Sequence, residues 1–385
     1  MYMRQFTVFL SFLFFCTQAF TQIESGVYQA FKVDKNASTP DIIYCNVIDL
    51  GNDMKIFNDG DKKPLDGEYH IIISKTRYVI GNFKKGYANG DWTQYWNNEV
   101  EEKGAFKNGK YDGLYVEQKT GERYEYTFKE GVMQRFISKY SNGQVGQERN
   151  YDENGKIQGE VIVYDENGNI KRKNNYLHGE LDGPQMKKEG GYTETYSMKN
   201  NRKVGDYCML YSNGNIQKKG MYNEDGKETG KWYFGNEAGD PQSEVNYLDG
   251  KKNGEEKMFF DGGKLRFYTE YTNDVRNGKR IEYNREPYGI SLETNYKNGS
   301  QDGECKMYYN GVLDKELTYK DGEVISAKRY ENGKLVQMQR LDADGTLTDV
   351  PIPPAAKEAA AKTPTTKTSV PKKLKQDASG IIDVQ

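Results

Sequence analysis

The chain has 385 residues, 35% hydrophobic and 13% aromatic, with 31 Tyr, 41 Gly and only 10 Pro. Its hydrophobic share is low for a conventional globular core, and its aromatic share is too high for a disordered chain. A net charge of −2 excludes both a pervasive basic field for nucleic acid and an acidic solvating composition.

The N-terminus reads as an export signal over residues 1–21. Arg4 supplies the positive n-region, "FTVFLSFLFFC" (6–16) the apolar h-region, and "TQAFTQ" (17–22) a polar cleavage zone with the cut after Ala19 or Thr21. The run falls short of the roughly 20 residues that a membrane-spanning helix needs. "LFFC" approaches a lipoprotein box at Cys16, but Phe15 stands where a small residue is wanted. The mature chain is expected in the periplasm, the cell envelope or the extracellular space, with no transmembrane segment left after cleavage.

Residues 22–63 show no repeat. "GVYQAFKV" and "IIYCNVIDL" have strand composition and predict a cap over the open edge of whatever follows. The cysteines beyond the signal are Cys45, Cys208 and Cys305, far apart and without CxxC spacing. They encode neither a disulfide framework nor a zinc site, and read as small buried hydrophobes.

From 64 to 335 one phrase recurs. "FKKGYANGDWTQYW" (83–96) returns as "FKNGKYDGLY", "YLHGELDG", "YLDGKKNGEEKMFF" and "YKNGSQDGECKMYY". An aromatic precedes each turn, and a glycine opens the next strand at Gly67, Gly90, Gly113, Gly159, Gly183, Gly205, Gly230, Gly254, Gly278 and Gly303. Gly113 and Gly159 stand two periods apart, leaving one degenerate unit around Phe136. A second turn, such as "YSNG" (140–143 and 211–214), falls half a period later. Asn-Gly and Asp-Gly supply the positive-φ residues of tight hairpins, and no helical apolar stripe interrupts the pattern. The expected fold is all-β: an elongated repeat array of antiparallel β-hairpins, a twisted meander sheet of about eleven units of 22–25 residues.

"GDWTQYWNNEVEEKGAFKNG" (90–109) and "GKWYFGNEAGDPQSEVNYLDG" (230–250) resemble the MORN repeat in its bacterial variant form. The ring two places after the glycine is kept in Trp92, Tyr115, Tyr207 and Trp232, but the position holds Val161, Gln185, Glu256, Arg280 and Cys305 elsewhere. The resemblance implies a scaffolding habit rather than a reaction, and a toxin-neutralising role as an alternative. No enzyme activity, cofactor or metal is expected.

Residues 336–349 read as a C-terminal cap and 350–385 as a disordered Pro/Ala/Lys/Thr tail whose lysines offer weak contact with an anionic surface. Of the two histidines, His70 falls in the first repeat strand and His178 in a turn. "NYDENGKIQGE" (150–160) and "LDADGTLTD" (341–349) approach a calcium loop but lack required ligands and read better as turns. The aromatics Trp92, Trp96, Tyr115, Tyr207 and Trp232 are the candidate binding face. They either stack on a sugar, a peptide or a partner sheet, or pack along the ladder as cross-strand pairs. The leading expectation is an exported scaffold that contacts a protein or cell-envelope polymer. A glycan-binding or polysaccharide-turnover protein is a further alternative.

Overall fold

The computed structural model describes residues 23–33, 41–51, 54–119, 121–354, 356, 374–376 and 382–384. The export signal expected over 1–21, and most of the expected tail, lie outside the described residues. Strand is nearly the only regular structure: among the described residues, helix is confined to Pro354 and Ala356. The chain divides into two units, residues 1–180 and 181–385.

In the first unit, strand Gly26–Lys32 pairs with Ile42–Gly51 on one side and with the first repeat strand, Gly67–Ile72, on the other. The open edge of the first hairpin is therefore hydrogen-bonded, as an edge must be to resist pairing with another chain. Met54–Asn58 pairs with Ile42–Gly51, and Phe57 N–H donates to the Gly86 carbonyl at 2.8 Å. This brings Cys45, Val47 and Phe57 over Ile71, Val79, Phe83 and Trp92 in one core. From Gly67–Ile72 to Ile170–Leu177 each main strand runs antiparallel to the next.

The second unit repeats the meander from Gly183–Glu189 to Leu347–Asp349. Its core holds a ring nest of Tyr207, Tyr222, Trp232 and Tyr247. A second cluster joins Leu265, Tyr283, Ile290, Tyr308 and Leu313. The sequence reading gave the tail no structure; its described part holds one short antiparallel pair, Leu374–Gln376 with Ile382–Val384.

Two turn chemistries recur. Asn108–Gly109, Asp249–Gly250 and Asn298–Gly299 carry two consecutive positive φ angles, the primed turn whose twist matches the flanking strands. At the two "YSNG" turns only the glycine is left-handed, and in the first of them two backbone bonds close the loop: Gly143 N–H to the Tyr140 carbonyl and Tyr140 N–H to the Gln144 carbonyl, both 2.9 Å. The stretches resembling calcium loops are turns of this kind. Asp152 Oδ1 accepts from the backbone of Asn154 and Lys156 at 2.9 Å, and Asp342 Oδ1 from that of Asp344 and Thr346 at 3.0 Å.

Tyrosine and asparagine side chains of the half-period turns also bind the turn one period ahead. Tyr140 Oη donates to the Tyr164 carbonyl (2.9 Å) and Asn142 Nδ2 to that of Glu166 (2.9 Å). Tyr211 Oη to Gly235 (3.2 Å) and Asn213 Nδ2 to Glu237 (2.7 Å) repeat the arrangement in the second unit. All four links span 24 residues. The recurring "YSNG" thus joins successive hairpins as well as turning the chain.

Candidate binding face

Side chains alternate across a strand, so each ring belongs either to the covered face or to its opposite. Trp92, Tyr115, Tyr207 and Trp232 lie on the covered face, with 5%, 2%, 7% and 0% of their surface exposed; Trp96 alone of the five candidates is open, at 51%. This corrects the expected binding face. Four of the five rings are core, and a ring covered by its own sheet has no surface to offer a partner.

The cover is specific. A Cβ on Gly81 would lie 2.7 Å from the Trp92 ring, one on Gly104 would lie 2.3 Å from Tyr115, and one on Gly220 would lie 2.1 Å from Trp232. Each ring lies over a glycine of an adjacent strand, an approach that any side chain would block. The same geometry accounts for repeats that lack the ring. Val161 faces Asn174, Arg280 faces Thr269 and Thr294, and Cys305 faces Leu317. Where the large residue is lost, its neighbour is no longer glycine, so the volume between strands stays filled.

Beside the rings runs a row of polar side chains on the same face. Gln94 is opposite Glu102, and Glu102 is opposite Glu117. All three are buried. Tyr115 Oη donates to Glu102 Oε2, while Glu102 Oε1 is buried without a partner. Burial, followed by the charges of Glu117 and Glu101, outweighs the Tyr115 bond and the Arg77 charge and pushes the Glu102 carboxyl up to about 7. Glu117 is better served, by Tyr126 Oη at 3.2 Å and Lys119 Nζ at 2.8 Å. Arg77 forks onto Glu101 with bonds of 3.0 and 2.8 Å. The Glu102 carboxyl is sealed from solvent, so this row bears on stability and register rather than on a substrate.

The opposite face of the first unit carries a different set of rings. Phe31 and His70 lie 4.7 Å apart, His70 and Tyr78 6.0 Å, and Tyr78 and Tyr95 4.7 Å with planes 10° apart. These half-exposed rings cross four strands and are flanked by exposed Ile42 and Tyr44. Burial lowers the His70 pKa, keeping its imidazole neutral at neutral pH. Sequence reasoning passed over this ladder, although its signal was present: Tyr95 is an odd number of residues from Trp92 and so faces the other way.

The remaining candidates are structural. Cys45, Cys208 and Cys305 are buried and form no disulfide with one another, and burial pushes the Cys45 thiol up to about 12 and that of Cys208 to about 11. His178 Nδ1 lies 3.1 Å from Asp152 Oδ2 and joins two exposed turns. Among the described residues no group of three or more His, Cys, Asp or Glu is placed to hold a metal ion, and no helix is long and apolar enough to cross a membrane.

An all-β array of tandem hairpins, its side chains alternating between interior and solvent, defines a repeat-type binding scaffold. The family model described as "MORN repeat variant" matches residues 144–162, 157–178 and 252–273, so these stretches carry MORN-type repeats. No curated protein matches it. Among solved structures it is similar to S. aureus TarM, at 16% identity, 36% of this chain, 22% of that chain and a TM-score of 0.18. The Photorhabdus luminescens Tc holotoxin pore follows at 11% identity, 92% and 21% coverage and a TM-score of 0.16. A porin-like protein from Bacteroides uniformis gives 8%, 85% and 93% coverage and a TM-score of 0.13. The chain spans about a fifth of the first two, and TM-scores this low establish neither a shared fold nor a shared function.

Proposed function

We propose that this chain is an exported, non-catalytic scaffold that binds a protein or polymer of the cell envelope through an extended β face. The observation that carries the reading is the half-exposed ladder Phe31–His70–Tyr78–Tyr95 with exposed Ile42 and Tyr44 beside it, since a contiguous aromatic and apolar surface left in contact with water marks an interaction site. The apolar run at 6–16 supports export.

The test is affinity capture from a solubilised envelope fraction on the mature chain, with Tyr78→Ser/Tyr95→Ser as the comparison. Loss of the retained material in the double variant, with the thermal midpoint little changed, supports the reading. Identical retention by both proteins overturns the ladder as the binding face.

A further inference from the structure

In the first unit the repeat of Val161 lacks the ring but fills its place with Asn174, whereas one repeat leaves the place open. Between Tyr115 and Val161 lies the degenerate repeat around Phe136, with no nest like those at Gly81, Gly104 and Gly220. Here the covered face is not filled. A cleft of about 140 Å³ opens between Tyr124, Phe136 and Tyr140, bounded by Ser138, Gly146 and Gln147. Breaks in an otherwise consistent pattern are where functional sites are expected.

The cleft has an apolar floor and polar walls. Tyr124 and Phe136 are stacked 6.1 Å apart with planes 20° from parallel, and the Arg149 guanidinium lies 5.4 Å from the centre of Phe136. Tyr140 is fixed by its hydroxyl bond to the Tyr164 carbonyl. Ser138 stands between Tyr124 and Gln147 in the strand register. Gln147 Oε1 accepts from Arg149 at 3.0 Å, while Gln147 Nε2 and Ser138 Oγ hold no hydrogen bond to another described residue. Gly146 is outside the left-handed region, so other residues suit its backbone. A Cβ there would lie 3.2 Å from both Ser138 Oγ and the Tyr140 ring, so the missing side chain helps keep the space open.

We propose that this cleft binds one pyranose ring of a polysaccharide. The volume is well below the roughly 300–1,000 Å³ of drug-sized sites and suits a single small ring. A pyranose presents C–H groups on its faces and hydroxyls around its edge, matching aromatic walls beside a serine hydroxyl and a glutamine amide. An apolar side chain of similar size would bury Ser138 Oγ and Gln147 Nε2 unpaired. The inference rests on the envelope-polymer side of the reading above and gives that polymer a chemistry.

The experiment is saturation-transfer NMR on the mature chain with the methyl glycosides of glucose, galactose and N-acetylglucosamine. Transfer to the ring protons of at least one glycoside is expected, with affinity at least tenfold weaker in both Gly146→Val, which fills the cleft, and Gln147→Ala, which leaves its volume open. Gln147→Ala should keep the thermal midpoint, so loss of binding there is not loss of fold. No transfer from any of the three, or transfer undiminished in Gln147→Ala, overturns the proposal. Envelope capture separates the two readings. Material lost by Tyr78→Ser/Tyr95→Ser but retained by a chain whose glycoside binding has failed leaves the scaffold standing and removes the cleft.

Discussion

Trp232 lies so closely over Gly220 that a Cβ on the glycine would come within 2.1 Å of the indole. The ring is fully buried, Lys218 Nζ lies 4.4 Å from its centre, and Tyr207, Tyr222 and Tyr247 surround it. Gly220 does not have a positive φ, so its constraint is space and not backbone angle.

Gly220→Ala should therefore destabilise the chain by about 1–3 kcal/mol, the usual cost of overpacking. Gly289→Ala, with open space around its Cβ and no positive φ, should change stability by less than about 0.5 kcal/mol. Urea melts of the two variants make the comparison. Equal effects would show that contact between ring and glycine is not what selects Gly220.

Glu102 predicts a pH dependence. Its carboxyl is held at about 7 in the folded chain against the ordinary 4.5 of an unburied glutamate, so the native state binds the proton more tightly. Stability from this group is fully present below about pH 4.5, falls as the pH rises towards 7, and stays lost above it. Glu102→Gln imitates the protonated form. It should stabilise the chain at pH 8 by on the order of 3 kcal/mol relative to the parent, and by little at pH 4. Melts at the two pH values decide this, and a benefit independent of pH would refute the assignment.

The buried thiols should be inert. With Cys45 pushed up to about 12 and Cys208 to about 11 by burial, neither supplies thiolate at pH 8. A thiol reagent should label Cys45, Cys208 and Cys305 only once denaturant is added. Rapid labelling of Cys45 in the native chain would contradict its burial.

The turn links should act locally. Asn213→Ala removes the donor to the Glu237 carbonyl and should cost about 1 kcal/mol. Stability in an array sums over neighbours, so hydrogen exchange should quicken around 211–240 and stay unchanged near Trp92. Faster exchange along the whole chain would mean one cooperative core.

The sequence by itself determined the class of fold, the period and the turns. All ten glycines marked as opening a strand have positive φ, from 65° at Gly230 to 115° at Gly278. That was legible because turn chemistry is local: left-handed backbone strains most residues with a Cβ, so glycine, and Asn or Asp beside it, gather at these positions wherever they fall. The candidate site was legible only as two alternatives. Alternation separates Trp92 from Tyr95 but does not say which one faces the core. That choice was made by the cap, whose Phe57 packs on Phe83 at 4.8 Å and meets Trp92 at 6.3 Å. The glycines beneath the rings were hidden for a related reason. Gly81 and Gly104 become partners of Trp92 only through the strand register, and the pairing shifts between Gly81 and Phe83. Such a shift belongs to pairing between strands and is not a property of either strand alone.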